Sequence, residues 1–204
     1  MNITCGGGIV YSMSIVIAAH NDNEIVIAFD DLSRSTRTGS YELDSTIEKV
    51  KLIHPKLAYM MTGRFMSDKL QFIKDYVRSV QPTTELDTAF WALYRMAQKR
   101  MVVHSSDGFR LGLAGFNAGV PGFKCITVQY GHDMVAEGAT ANYYASGETD
   151  PVVLSESRMK ASSIMQKPPT DEITNILSGI VKECIDTYPA TLGEPANTLV
   201  LSNL

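Results

Sequence analysis

Residues 14–30 read SIVIAAHNDNEIVIAFD. Two Ile/Val-rich runs, 14–20 and 25–30, flank Asn21, Asp22, Asn23 and Glu24, a polar break with the composition of a tight hairpin turn, so the stretch predicts two antiparallel strands. Downstream, residues 31–46 turn polar and rich in Ser and Thr around Gly39. A second pair of apolar runs, 48–53 and 57–62, then flanks His54, Pro55 and Lys56 and ends at Gly63, which predicts a second hairpin. Beyond Gly63 the period changes. Met66, Leu70, Ile73 and Val77 recur at helical spacing, and Leu86, Phe90, Leu93, Ala97 and Met101 repeat the pattern past a break at Pro82. Residues 109–116 and 123–130 read as a third strand pair turned by Asn117, Gly119, Pro121 and Gly122. A weaker helix is expected over about 150–166. Pro168, Pro169, Thr170 and Asp171 stop it and start a stronger one, whose face is Ile173, Ile176, Leu177, Ile180, Val181, Cys184 and Ile185. Residues 198–201 close as a strand. Strands and helices are thus segregated rather than alternating, which disfavours a doubly wound parallel sheet. The economical packing is α+β: two mostly antiparallel sheets face to face with helix pairs on their outer faces, a four-layer αββα sandwich.

The chain's 204 residues suit one compact domain, and 45% hydrophobic with 20% charged residues exclude disordered and fibrous classes. With 22 acidic and 18 basic side chains, a net charge of −4 and no basic block, nucleic acid is not an expected partner. No apolar run approaches the roughly 20 residues that cross a bilayer, so no membrane association is expected. Cys5, Cys125 and Cys184 are an odd set without metal-ligand spacing, which points to a reducing cytoplasm with neither disulfides nor a metal site. Residues 1–13, MNITCGGGIVYSM, lack the basic start and apolar core of a secretory signal. Phosphate-loop, paired-cysteine, metalloprotease and nucleophile-elbow motifs are missing, and no cofactor is expected.

What remains is a small polar constellation on the first two hairpins. Antiparallel pairing brings Ser14, at the start of the first strand, beside Asp30, at the end of the second, and Lys49 opens the adjacent hairpin. A buried lysine between a carboxylate and a hydroxyl can assist proton transfer. Together with residues 49–63, KVKLIHPKLAYMMTG, and the triplet Ala145, Ser146, Gly147, this pattern resembles the proteasome β subunits and their bacterial relatives among the N-terminal nucleophile hydrolases. In that family a hydroxyl residue opens the first strand, an aspartate ends the second sixteen residues later, and a lysine precedes a glycine by fourteen. Both spacings hold, at 14 to 30 and at 49 to 63.

The resemblance covers residues 14–204 and implies the sandwich fold, with residues 1–13 as a leader or a mis-assigned start. It implies that Ser14 is the nucleophile and its own α-amine the base, with Lys49 easing loss of the hydroxyl proton and Asp30 orienting Lys49. Gly63 donates its amide to the oxyanion, and Ser146 supports the amine with Asp186 as its carboxylate partner. Lys51, Met61 and Phe65 fall where the family shapes its specificity pocket, for which an apolar preference is expected. Serine stands here where the family usually has threonine, and Asp31 and Leu32 replace its usual small residue and arginine. Ser14 needs a free amine, obtained either by self-cleavage after Met13 or by translation from Met13 and loss of that methionine. The expected function is a cytoplasmic peptidase subunit acting on peptides or unfolded protein inside a self-assembled ring, fed if at all by a separate ATP-dependent unfoldase. The alternatives are a catalytically silent structural subunit and a small-molecule amidase on the same fold.

Overall fold

The structure is a computed structural model that describes residues 9–12, 15–30, 34–35, 42–43, 48–66, 68–105, 107–129, 133–139, 141–147, 149–189, 192–193 and 196–203. For residues 9–12, 34–35, 42–43 and 65–66 it describes the backbone path alone. It is mixed α+β, with two antiparallel sheets and four α-helices among the described residues.

The two strands read from residues 14–30 are β2 (Ile15–His20) and β3 (Glu24–Asp30), after β1 (Ile9–Ser12). Their turn is an Asx turn, in which the Asn21 side-chain oxygen accepts the backbone N–H groups of Asn23 and Glu24 at 2.9 Å each. β11 (Tyr143–Gly147) flanks β2 and β12 (Ala196–Ser202) flanks β3, giving the sheet order β11-β2-β3-β12. Residues 15–19 and 25–28 are wholly buried because both faces of this sheet are covered. Ile15, Ile17, Val26 and Ala28 pack with Leu177, Val181 and Cys184 on the helical side. Val16, Ala18, Ile25 and Ile27 pack with Ala58, Met60, Ala114 and Phe123 of the other sheet.

That second sheet is built around β7 (Leu57–Met66), with β6 (Val50–His54), β8 (Gly108–Asn117), β9 (Val120–Val128) and β10 (Val135–Gly138). One edge of β7 takes β6 along Leu57–Met60 and then β1 along Gly63–Met66, after which β4 (Arg34–Ser35) and β5 (Glu42–Leu43) extend the sheet. On its outer side Leu57, Tyr59, Met61, Leu111 and Leu113 pack against α1 (Asp68–Ser79) and α2 (Leu86–Arg100). The helices over the first sheet are α3 (Thr149–Ala161) and α4 (Thr170–Thr187). No helix among the described residues is long and apolar enough to cross a membrane.

Four expectations need correction. Met66 lies in β7 rather than starting a helix, because Ile9 pairs opposite it and prolongs the strand. Pro121 and Gly122 are strand residues, since the turn needs only Ala118 and Gly119, both at positive φ (46° and 85°) as two-residue hairpin turns require. The helix expected to reach residue 166 stops at Ala161. There Ser162 accepts the Ile164 N–H and starts a separate 3-10 turn, Ser163–Gln166. The strands Ile9–Ser12, Arg34–Ser35, Glu42–Leu43, Val135–Gly138 and Tyr143–Gly147 were not expected at all.

Ile27→Ala, at a wholly buried contact between the sheets, is expected to lower unfolding stability by about 2–5 kcal/mol in a denaturant titration. A loss below about 1 kcal/mol contradicts close packing there.

Candidate active site

Alternation along the strands decides which side chains meet between the sheets. On β7, Ala58 and Met60 face the other sheet, so Thr62 does too. On β11, Tyr144 faces inward and Ala145 outward, so Ser146 faces inward. The Thr62 and Ser146 hydroxyls meet at 2.5 Å, both buried, and join the two sheets. Tyr144, on the same face of β11, is buried, and burial is the chief cause that pushes its phenol pKa well above the ordinary value.

A second link joins the sheets beside it. Asp30 ends β3, and Lys49 leads into β6; their side chains are 0% and 2% exposed. Lys49 Nζ donates to Asp30 Oδ1 at 2.9 Å and to the Asp30 carbonyl at 3.1 Å. Asp30 Oδ1 also accepts the Ile15 backbone N–H at 2.8 Å, and Oδ2 accepts that of Gly193 at 3.2 Å. Burial pushes the Asp30 carboxyl above the ordinary aspartate range, against the opposing pull of Lys49 and the two backbone donors.

Gly63 has φ +103°, and a β-carbon there would lie 2.4 Å from the Gly108 carbonyl oxygen, so only glycine fits without rearrangement. The segment pressing on it is held by another buried pair, Lys69 Nζ to Asp107 Oδ2 at 2.9 Å. A cleft of about 500 Å³ is lined by Thr62, Gly63, Arg110, Ser146, Gly147 and Glu156. A second cavity, about 280 Å³, has Met61 and Tyr59 on one wall, Leu70 and Ile73 on another, and Lys51 at its edge.

Of the residues singled out in sequence, Asp30 and Lys49 are in direct contact, Gly63 and Ser146 line one cleft, and Lys51 and Met61 line one cavity. Ser14 lies outside the described residues, as does the Phe65 side chain. Asp186 lies on the exposed side of α4, whose buried face is Ile173, Leu177, Ile180, Val181, Cys184 and Ile185. The hydroxyl that meets Ser146 is that of Thr62. Thr62, Tyr144 and Gly193 escaped the sequence reading, although a lone polar residue in the apolar run before Gly63 was a usable signal.

No described protein family matches the sequence, and no curated protein matches it. Among solved structures, the chain is similar to Anbu (ancestral beta-subunit) from Yersinia bercovieri, with a TM-score of 0.68 at 12% identity over 92% of this chain and 81% of that one. At that identity the likeness is one of fold, and the fold is proteasome-like.

Lys49→Met alone strands the buried Asp30 carboxylate and is expected to cost about 3–5 kcal/mol of unfolding stability. Combining it with Asp30→Asn, which removes the charge and keeps one acceptor oxygen for the Ile15 N–H, should recover more than half of that loss in a double-mutant cycle. Additive losses contradict the coupling.

Proposed function

We propose that the chain is a proteasome-like N-terminal nucleophile hydrolase with the αββα layering, which cuts peptide bonds with Ser14 once residues 1–13 are removed. The observation that carries this reading is the crossing between the sheets. Ser12 pairs with Gly63 in one sheet and Ile15 with Gly147 in the other, so residues 13 and 14 connect those two points. The Ile15 nitrogen, which belongs to the Ser14–Ile15 peptide bond, is 2.8 Å from Asp30 Oδ1. The nitrogen that follows Ser14 in the chain is therefore hydrogen-bonded to one member of a buried Asp–Lys pair.

In this mechanism the freed α-amine, with an ordinary pKa of about 7.7–8.0, takes the Ser14 hydroxyl proton as Oγ attacks the substrate carbonyl carbon. Lys49 stabilises the developing alkoxide, Asp30 holds Lys49 in place, and the Gly63 N–H donates to the oxyanion. The C–N bond then breaks, the ammonium passes its proton to the leaving amine, and water hydrolyses the resulting ester. Ser146 steadies the amine.

β1 indicates how a peptide would bind. It lies antiparallel between β7 and β4, and an extended peptide in the same slot would be held by the same backbone donors and acceptors. The apolar walls beside Met61 support a preference for an apolar residue on the acyl side, with Lys51 among the lining residues. Assembly into rings and delivery of unfolded protein by a separate ATP-driven unfoldase in the cytoplasm complete the reading. The pairing of β1 also favours a second reading, a silent structural subunit that keeps residues 1–13 in place.

A chain beginning at Ser14 is expected to hydrolyse fluorogenic peptides carrying an apolar acyl-side residue, at least about 100-fold faster than the full chain, because only it has a base at the nucleophile. Lys49→Ala in that shortened chain should lower kcat about 10²–10³-fold. Equal rates for the two lengths contradict the mechanism. A folded but inactive shortened chain supports the silent reading instead.

A further inference from the structure

The outer face of α2 carries Asp87, Trp91, Ala92 and Arg95, all exposed. Trp91 is 46% exposed, yet its ring is held in place: Phe90 meets it edge-on at 5.4 Å between centroids, Tyr94 does so at 5.9 Å, and Lys124 Nζ stands 5.8 Å from its centre. An indole fixed by three neighbours and still half in water is a preformed contact, because little side-chain freedom is left to lose when a partner covers it.

The charges around it tell what that partner is. Asp87, Trp91 and Arg95 follow one another at intervals of four and form a single ridge on the helix. Its first turn is acidic, and Arg95, Lys99 and Arg100 make its last turns basic. Lys124 and Asn117 both bond Asp87 through Oδ1, and Lys124 holds its carboxyl below the usual range. The carboxylate is therefore fixed and ionised while 52% of the side chain stays exposed. Arg95 Nε donates to the Trp91 carbonyl at 3.1 Å, which ties the guanidinium back to the preceding turn of the helix.

A partner of uniform charge would be repelled at one end of this ridge. A second copy, turned antiparallel about a two-fold axis through Trp91, brings each Asp87 opposite the other's Arg95. Ridges of this i±4 type interlock at a crossing angle near −50°, the commonest helix packing, and Ala92 leaves room for the incoming indole. We propose that α2 is a two-fold docking surface for a second copy of this chain, centred on Trp91 with Asp87 and Arg95 paired across it. The inference is independent of the peptidase reading and holds whether or not Ser14 is freed.

Trp91 is the chain's one tryptophan, so its emission reports on this surface alone. Across a dilution series of the full chain, emission is expected to move to shorter wavelength with rising concentration, in step with the mass measured by sedimentation. R95E and D87R, each folded by circular dichroism, should each move that midpoint at least about tenfold higher, since either puts like charges face to face. An equimolar mixture of the two should associate with each other, because both cross-pairs are then of opposite sign. W91A, followed by sedimentation, should likewise weaken association and tests the surface even where a charge variant misfolds. Concentration-independent emission, parental association by R95E or W91A, or a mixture of folded variants no tighter than either alone overturns the proposal.

Discussion

An ammonium and a carboxylate 2.9 Å apart, almost wholly withdrawn from water, tie the end of β3 to the start of β6. Burying such a pair is expensive, since each ion loses several kcal/mol of hydration. Here the loss is offset by further bonds: the Ile15 and Gly193 backbone N–H groups on the carboxylate, and the Asp30 carbonyl on the ammonium. Apolar residues of the same volume would hold two sheets together at least as well. What they would not do is fix a cation and an anion at the first described residue of β2, and this is the constraint from which the proposed chemistry follows.

The rest of the site is arranged by strand register. With β2 locked against β3 and β11, Ser146 is opposite Val16 and Gly147 opposite Ile15. With β7 locked against β8, Gly63 is pressed on Gly108, and alternation turns Thr62 toward Ser146. A one-residue slip in either sheet would send Thr62 or Ser146 to the wrong face. Occupation of the slot between β4 and β7 by residues 9–12 links the site to the chain's own N-terminal segment. Under the proposed function that segment is both the part to be removed and a template for the substrate backbone.

Legibility in the sequence followed the strength of the local signal. The hairpins of residues 14–30 and 48–62 and the faces of α1, α2 and α4 were readable because each buries a continuous or periodic apolar set. The Tyr143–Gly147 strand was not, because its run is short and mixed, and its neighbour in the sheet is more than a hundred residues away. The Ile9–Ser12 strand was hidden by glycines and by its position in a segment read as a leader. The meeting of Asp30 and Lys49 was expected from the family resemblance, whose two spacings the sequence keeps; Asp30 ends a strand of one sheet and Lys49 leads into a strand of the other, so strand pairing alone does not bring them together. The Thr62–Ser146 and Gly193–Asp30 contacts depend on how separate elements dock, which no spacing encodes.

The most direct measurement is covalent trapping. A chain starting at Ser14 is incubated with a peptide carrying a carbonyl electrophile and an apolar side chain, and tandem mass spectrometry locates the adduct. The account predicts one equivalent of label on residue 14, and labelling there at least about 100-fold slower when Lys49 is replaced by alanine. Label on any other residue, or an unlabelled Ser14 in a folded protein, contradicts it.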